Sequence, residues 1–209
     1  MKRVIIIQAR MTSTRLPGKV LMDLDGRPLL SRQLDRLKHC RTVDDIVIAT
    51  TINATDEPIA ALCAKEDVRI FRGSELDVLS RYLGAAREAQ ADVVVRVTSD
   101  CPLICPEVCD AVVETLGNAD YASNILKRTY PRGLDTEAFT FAALERTCSE
   151  ATSAPAREHV TWHMYAEAPG AFSTLSVENL ENRSDLRWTV DEPADLEAIR
   201  RLWTGLDLS

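Results

Sequence analysis

The stretch "IIIQARMTSTRLPGKVL", residues 5–21, joins a short apolar run to a loop that carries three cations. The run "RVIIIQA" is typical of a strand buried on both faces, because it is short, continuous and rich in isoleucine. Arg10, Arg15 and Lys19 follow it directly. The stretch therefore predicts a buried strand that ends in a positively charged loop.

Three further runs have the same strand character, "DDIVIAT", "DVRIF" and "ADVVVRVTSD". The segments between the four runs show helical apolar spacing, "RPLLSRQLDRLKHC", "DEPIAALCAKE" and "SELDVLSRYLGAAREAQ". Alternating strands and helices predict an α/β fold with a mostly parallel, Rossmann-like sheet and helices on both faces. "CPEVCDAVVETLG" predicts another helix, with Pro106 in its first turn and an end at Gly117.

The alternation of strand and helix patterns ends after residue 118. "ADYASNILKRTYPRGLDTEAF" is expected to form a hairpin excursion, and "TFAALERTCSEAT" and "APAREHVTWHMYAEA" are expected to be helices. "FSTLSVENL" is expected to be a strand, and "LRWTVDEPADLEAIRRLW" is expected to form a strand, an acidic turn and a helix with Pro193 in its first turn. We expect one α/β domain over residues 1–209, with a small inserted hairpin and helical subdomain over about 119–180.

The composition of the chain limits the kinds of partner and the cellular compartment that we expect for the protein. The net charge of −7 argues against a nucleic-acid surface, which is normally basic. No stretch approaches the roughly 20 apolar residues of a membrane-spanning helix, and the first apolar run is too short for a signal peptide. The six cysteines show no disulfide-rich spacing and fit reduced thiols. We therefore expect a cytoplasmic protein without membrane or nucleic-acid partners.

The cationic loop is expected to bind phosphate. In open α/β sheets, ligands bind outside the carboxyl ends of the strands, where residues 9–19 leave the first strand. Small and hydroxylated residues allow backbone N–H groups to approach an anion, and the two arginines and the lysine add full charges. The alternative is a solvated loop with scattered cations. Neither G-x-x-x-x-G-K-[ST] nor G-x-G-x-x-G occurs, so the loop is not one of the two common nucleotide-binding motifs.

Two aspartates are candidate metal ligands. Asp100 ends "VVVRVTSD" and Asp191 ends "LRWTVD", and strand ends meet along one edge of a parallel sheet. Two carboxylates beside a phosphate site suit Mg²⁺, which takes one or two carboxylates together with phosphate oxygens. The alternative is that each aspartate caps the helix that follows it.

The chain also resembles a known family. "QARMTSTRLPGKVL" is similar to the signature loop of the cytidylyltransferases that activate acidic sugars, the CMP-Kdo and CMP-sialate synthetases, and most similar to the spore coat polysaccharide biosynthesis protein F group. The likeness continues through "FRGSELDVLSRY", "VRVTSDCPLI", "YPRGLDTEAF", "REHVTWHMY" and "WTVDEPADLE". It implies a fold of the nucleotide-diphosphosugar transferase type and transfer of CMP from CTP to an acceptor, with release of pyrophosphate.

The resemblance also implies roles for individual residues. Arg10, Arg15 and Lys19 would hold the triphosphate of CTP, and Asp100 and Asp191 would hold Mg²⁺. Of these, Arg10, Lys19, Asp100 and Asp191 would form the catalytic set. The base and ribose would lie near Ala9, Arg72, Gly73 and Ser74.

The acceptor is expected to bind residues 120–165. The polar candidates there are Tyr121, Ser123, Asn124, Arg132, Glu137, Arg157 and His159. Arg132 and Arg157 could grip a carboxylate or phosphate of the acceptor, or could be ordinary polar surface residues. We expect an acidic sugar or related acceptor, a role in surface polysaccharide biosynthesis, and a homodimer formed through this region. A non-catalytic nucleotide-sugar-binding protein and a glycosyltransferase of similar fold are the alternatives.

Overall fold

The computed structural model of the protein describes residues 1–205. Its strands are β1 (Arg3–Gln8), β2 (Asp23–Leu24), β3 (Arg27–Pro28), β4 (Asp45–Thr51), β5 (Arg69–Gly73), β6 (Val93–Thr98), β7 (Tyr121–Ser123), β8 (Glu137–Thr140) and β9 (Thr174–Ser176). Its α-helices are α1 (Leu29–Leu37), α2 (Glu57–Glu66), α3 (Val78–Glu88), α4 (Pro106–Leu116), α5 (Phe141–Glu150), α6 (Ala154–His159) and α7 (Pro193–Gly205). Short 3₁₀ turns at Lys19–Leu21 and Ala54–Asp56 and a π-helical turn at His163–Glu167 complete the elements.

Seven strands form one sheet in the order β5-β4-β1-β6-β8-β7-β9. The four strands from the first half of the chain are parallel, β8 is antiparallel to both of its neighbours, and β9 is parallel to β7. The predicted mostly parallel α/β fold is therefore confirmed. Because β1 pairs with β4 on one side and β6 on the other, the strand order reverses at β1. Ligands bind at such a reversal point in open α/β sheets.

The core lies on both faces of this sheet. Val4, Ile5, Ile6 and Ile7 of β1 are all fully buried, as a continuous apolar strand between two helical layers requires. Because side chains alternate along a strand, Ile5 and Ile7 pack with α1, α2 and α4, whereas Val4 and Ile6 pack with α3, α5 and α6.

A third, smaller apolar cluster anchors the cationic loop. Leu16 of that loop packs with Leu103, Val190 and Trp203, so the terminal helix α7 and the segment before it support the loop. Gly18 has φ +72°, a conformation that favours glycine, and its N–H donates to the carbonyl of Met11 at 2.9 Å. The loop is therefore closed on itself before the 3₁₀ turn that begins at Lys19.

Two predicted elements differ in the structure. "LRWTVD" is not a strand, because its backbone bonds to two separate segments: Trp188 N–H donates to Arg132 O and Val190 N–H to Asp100 O. Only an isolated bridge between residues 132 and 187 results.

The single helix predicted over "APAREHVTWHMYAEA" is interrupted at Val160, whose φ of +57° ends α6. The hairpin β2–β3, with Asp25 and Gly26 at positive φ in its turn, was not predicted.

The segment after residue 118 extends the sheet. β7 and β8 pair with each other, β8 pairs with β6, and β9 pairs with β7. Pro106 and Pro193, each predicted in the first turn of a helix, are the first residues of α4 and α7. Within residues 1–205, no helix combines the length and the apolar character needed to cross a membrane.

Candidate active site

A cavity of about 580 Å³ opens at the carboxyl ends of β1 and β6, where the strand order reverses. Three groups of side chains line it: the cationic loop and β1, the end of β6 with Asp191, and the facing residues of α3 and α6 with the loop before α3. The lining residues are Gln8, Ala9, Arg10, Ser13, Thr14, Arg15, Lys19, Glu75, Leu76, Val78, Arg81, Arg96, Thr98, Ser99, Asp100, Glu158, His159 and Asp191.

Two carboxylates from other segments of the chain bind the cationic loop. Arg10 lies 3.5 Å from Glu75, which also accepts a hydrogen bond from the Thr12 hydroxyl at 2.6 Å. The Met11 N–H donates to Asp56 at 2.8 Å. Hydrogen bonds from Thr12 and Asn53 lower the pKa of Glu75 below its ordinary value, and Arg10 adds to this effect. Glu75 is therefore a carboxylate at neutral pH.

Lys19 brings the two aspartates together. Its Nζ lies 3.1 Å from Asp191 Oδ1 and 3.5 Å from Asp100 Oδ2, and it donates to the carbonyl of Val190 at 2.7 Å. The Lys19 side chain is only 11% exposed, so this cation is withdrawn from bulk solvent. Arg15 adds a second cation 2.8 Å from Asp191. Residues far apart in sequence thus converge on one point of the cavity wall.

The two aspartates do not cap helices. α7 begins at Pro193, but Asp195 is the side chain that accepts from the N–H groups of Asp191 and Glu192, both at 2.9 Å. Asp100 accepts hydrogen bonds from Thr98 and Cys101 instead, and the N-cap of α4 is Cys105. One oxygen of each carboxylate, Asp100 Oδ2 and Asp191 Oδ1, therefore faces Lys19 at the cavity, whereas Asp191 Oδ2 accepts from Arg187 at 3.2 Å.

The donor set fits a Mg²⁺ ion that shares its ligands with substrate. Within residues 1–205, no cluster of three or more His, Cys, Asp and Glu side chains could hold a metal ion alone. Asp100 and Asp191 offer two carboxylates, and the lysine between them shows that this point already binds a positive charge. Mg²⁺ is commonly held by one or two carboxylates together with substrate phosphates. The cysteines of the described chain are free thiols.

The residues expected near the base do not all reach the cavity. Ala9 lines it, but Arg72, Gly73 and Ser74 do not. Arg72 pairs with Glu57 and donates to the carbonyls of Thr51 and Asn53 at 2.9 and 3.0 Å. It therefore ties the end of β5 to the neighbouring loop.

Of the residues expected to bind the acceptor, only His159 lines the cavity. Glu137 is 3% exposed and accepts hydrogen bonds from Arg96, Tyr121 and Thr161. Arg96 itself lines the cavity, and it also donates to Gln8 Oε1 at 3.2 Å. Tyr121 and Glu137 thus lie beneath the cavity and support a guanidinium that faces it.

The other acceptor candidates have structural partners. Asn124 is buried, donates to the carbonyl of Leu134 at 2.7 Å and accepts from the N–H of Thr136 at 2.9 Å. Arg157 pairs with Asp77 and so joins α6 to the start of α3. Arg132 is exposed on the 124–136 loop. None of these three residues lines the cavity.

Sequence reasoning missed Arg81 and Arg96. Arg96 stands within the apolar run "VVVRVT", and Arg81 belongs to the buried face of α3. A charged residue inside a buried pattern needs a partner or a function. The sequence pattern could therefore have marked both arginines as candidate site residues. Glu75 and Glu158 carried no such indication, because isolated acidic residues in polar segments are ordinary.

Comparison with known proteins identifies the family of the chain. Residues 4–207 match the family model described as cytidylyltransferase. An uncharacterized protein of Methanocaldococcus jannaschii is 42% identical over 100% of this chain and 86% of its own length. The spore coat polysaccharide biosynthesis protein SpsF of Bacillus subtilis is 33% identical over 96% of this chain and 85% of its own length.

Solved structures show the same relationship. A cytidylyltransferase from Leptospira borgpetersenii superposes with a TM-score of 0.94 at 34% identity, covering 99% of this chain and 88% of the other. A CMP:2-keto-3-deoxy-manno-octonic acid synthetase complexed with CTP shares the fold, with a TM-score of 0.72 at 19% identity over 98% of this chain and 99% of the other. The predicted enzyme class, a CTP-dependent nucleotidyltransferase, is confirmed at the level of the family. The chain belongs to the cytidylyltransferase family.

Proposed function

We propose that the protein transfers CMP from CTP to an acidic sugar or a related acceptor, releases pyrophosphate, and serves surface polysaccharide biosynthesis. The observation that carries the proposal is the position of Lys19 between Asp100 and Asp191 on the wall of the cavity. Cations for a triphosphate and carboxylates for a divalent metal then lie side by side. The name of the Bacillus subtilis relative supports the polysaccharide role.

In this proposal the cationic loop holds the triphosphate. Arg10, Arg15 and Lys19 neutralise the β- and γ-phosphates, and Arg15 and Lys19 exchange their carboxylate partners for phosphate oxygens. Ala9, which lines the cavity, borders the nucleoside, whereas Arg72, Gly73 and Ser74 lie outside the cavity lining. Phosphoryl transfer asks little covalent chemistry of a protein, so positioning and charge neutralisation supply most of the rate.

The reaction is an in-line displacement at the α-phosphorus. A hydroxyl oxygen of the acceptor forms the new P–O bond and its proton passes to solvent. The bond to the β-phosphate oxygen breaks, and pyrophosphate leaves with that electron pair. Asp100 and Asp191 would hold Mg²⁺, which when bound polarises the α-phosphate and offsets the charge of the leaving group. The loop cations retain the departing pyrophosphate until it is released.

The acceptor would occupy the part of the cavity between β6 and α6. His159 and Arg96 are the basic groups there, and Arg96 is held by the buried Glu137 and by Gln8. A guanidinium presented in this way suits a carboxylate of the acceptor, because its free donors form charge-assisted hydrogen bonds. Tyr121 and Glu137 contribute by fixing Arg96, whereas Asn124, Arg132 and Arg157 shape the surrounding loops.

The two alternatives require different sites. A non-catalytic nucleotide-sugar-binding protein needs the cations but not the paired aspartates, and both aspartates are present at the cavity. A glycosyltransferase of similar fold usually holds its metal with D-x-D. The only D-x-D before Asp191 in the described chain, at residues 23–25, lies in the β2–β3 hairpin outside the cavity lining.

Pyrophosphate release tests the proposal. The protein is incubated with Mg²⁺, each of CTP, UTP, ATP and GTP, and a panel of sugar acids that includes keto-acid sugars. We expect release with CTP and at least one acid, and none without an acceptor. Release of a nucleoside diphosphate from a nucleotide sugar, without any pyrophosphate from CTP, would favour the glycosyltransferase instead.

A further inference from the structure

The two carboxylate oxygens of Asp100 have different partners. Oδ2 lies 3.5 Å from the Nζ of Lys19, at the wall of the cavity. Oδ1 accepts a hydrogen bond from the Thr98 hydroxyl at 2.5 Å and a longer one from the Cys101 thiol at 3.4 Å. The hydroxyl and the thiol also contact each other at 3.5 Å. One oxygen is therefore held by neighbouring side chains, while the other faces a cation at the cavity.

This arrangement fixes a carboxylate that would otherwise turn. Rotation about the last bond of an aspartate side chain is broad, so the plane of an isolated carboxylate is poorly defined. The Asp100 side chain is 24% exposed, so water can compete for its oxygens. Cys101, by contrast, is buried. Two donors on one oxygen set the plane of the carboxylate and leave the lone pairs of Oδ2 for a cation.

Thr98 suits this role because its own position is fixed. It is the last residue of β6 and pairs with Gln8 of β1. Its carbonyl accepts a hydrogen bond from the side chain of Gln33 in α1 at 2.8 Å, and Gln33 is fully buried. Its β-branched side chain has restricted rotation. A rigid strand thus presents the hydroxyl to Asp100, which lies in the turn that follows.

We propose that Thr98 is a positioning residue for CMP transfer, whose hydroxyl holds Asp100 so that Oδ2 stays available to the divalent cation. This inference rests on the proposed function. In that reaction Lys19 turns from the carboxylates to phosphate oxygens, so Asp100 loses one of its present partners when substrate binds. The hydrogen bonds to Oδ1 do not involve Lys19 and persist through this exchange. Residues that orient a metal ligand in this way typically contribute about 10–100-fold to metal affinity.

Metal affinity tests the role of Thr98 without relying on turnover. Mn²⁺ is titrated into the protein together with α,β-methylene-CTP, in which a methylene group replaces the oxygen of the scissile bond, and bound Mn²⁺ is measured by electron paramagnetic resonance. Thr98→Val keeps the branched shape but lacks the hydroxyl, and it should weaken Mn²⁺ binding by about tenfold or more. Thr98→Ala lacks the hydroxyl without placing a methyl group beside the carboxylate, and it should show the same loss. Thr98→Ser retains the hydroxyl and should bind Mn²⁺ nearly as tightly as the parent.

Thr147→Val is the matched control. Thr147 is a fully buried residue of α5 whose hydroxyl has no hydrogen-bond partner within residues 1–205. Removing this hydroxyl should leave Mn²⁺ affinity and turnover unchanged. Affinity for CTP measured without metal should be the same in the Thr98 variants and the parent, because Thr98 contacts a metal ligand and not the nucleotide in this proposal.

A double substitution shows whether Thr98 acts through Asp100. In an Asp100→Asn background, Thr98→Val should cause no further loss of Mn²⁺ affinity, because the ligand that Thr98 positions is already gone. The inference is overturned if Thr98→Val and Thr98→Ala bind Mn²⁺ as tightly as the parent. It is also overturned if Thr98→Ser loses as much affinity as they do, or if the loss is undiminished in the Asp100→Asn background. A parent protein that binds neither CTP nor Mn²⁺ would overturn the proposed function, and this inference with it.

Discussion

Lys19 shows how a single side chain organises the candidate site. It is a mostly buried cation with two carboxylates and a carbonyl around its Nζ, so the three groups hold one another in place before any ligand binds. In the proposed reaction Lys19 exchanges these carboxylates for phosphate oxygens, so the arrangement positions both aspartates before the ligands bind. The two aspartates are exposed by 24% and 14%, which leaves them accessible from the cavity.

Replacing either aspartate should reduce turnover without unfolding the protein. Asp100→Asn and Asp191→Asn keep the size of the side chain but remove the charge that a divalent metal needs. We expect turnover to fall by about a hundredfold or more, the scale of losing one well-placed electrostatic group. Melting temperatures should stay near that of the parent, because neither residue caps a helix and each variant leaves Lys19 paired with the other carboxylate and the Val190 carbonyl. Lost stability with unchanged activity per folded molecule would contradict the metal assignment.

Glu137 should be a stability determinant. Glu137→Gln would leave Arg96 buried without its counter-ion, and breaking a buried pair in this way typically costs about 3–5 kcal/mol. Urea unfolding measures the change. Glu145→Gln is the control, since Glu145 pairs with Arg87 at the surface, where removal should cost no more than about 1 kcal/mol. Equal effects of the two substitutions would mean that the buried network contributes no more than a surface pair.

At the scale of elements, α3 and α6 form the wall opposite the cationic loop. The ion pair between Asp77 and Arg157 joins them, and Asp77 also caps α3 by accepting from the N–H of Ser80 at 3.0 Å. α3 approaches β5 closely, because a Cβ on Gly84 would lie 2.3 Å from the ring of Phe71. The position of this wall therefore depends on one glycine and one ion pair.

Gly84→Ala should destabilise the protein although alanine is the better helix former. Intrinsic propensity favours alanine by about 1 kcal/mol, but overpacking against Phe71 should cost about 1–3 kcal/mol. Gly205→Ala is the matched control, because a Cβ on this helical glycine would meet no atom of residues 1–205 within 4 Å. Thermal unfolding should show a lower Tm for the first variant and an unchanged or higher Tm for the second. A raised Tm for Gly84→Ala would show that Phe71 moves aside freely.

The Asp77–Arg157 pair should make stability depend on pH. Burial raises the pKa of the Asp77 carboxyl, but hydrogen bonds from Arg157 and Ser80 outweigh it and hold the pKa below its ordinary value. A carboxyl with a lowered folded-state pKa adds stability above its unfolded pKa of about 3.9, and this stability is lost as the pH falls through the folded value. Asp77→Asn keeps the cap but should flatten the stability profile below about pH 4. Unfolding free energies measured across pH check this; an unchanged slope would contradict it.

At the scale of the whole molecule, the sequence predicted the parallel strands of the sheet and the site residues that follow them. The parallel strands were predictable because each is a continuous apolar run, and Arg10, Lys19 and Asp100 were found because they follow such runs. The role of Glu137 was not predictable, because its direction depends on the antiparallel register that places it opposite Arg96. Sequence spacing gives the position of a residue along an element but not the neighbours that a distant strand brings.

The oligomeric state is a further property of the whole molecule, and we expect a homodimer. The edge strand β9 is exposed along its length, and Leu175 within it is 42% exposed. An unpaired strand edge is a template for pairing with another chain. Light scattering should give twice the chain mass of 23.2 kDa, and Leu175→Lys should shift it toward one chain. A wild-type mass of one chain at micromolar concentration would contradict the prediction.

The position of β8 also bears on how the chain is made. β8 lies between β6 and β7 in the sheet although it follows both in sequence. During synthesis the four parallel strands are complete at residue 98, but the open edge of β6 gains its partner only when residues 137–140 have emerged. β7 is also unpaired at this stage, because its partners β8 and β9 both follow it in the sequence. During this interval the edge of β6 is unpaired on the nascent chain. Nascent chains on neighbouring ribosomes of the same mRNA could then associate through this edge.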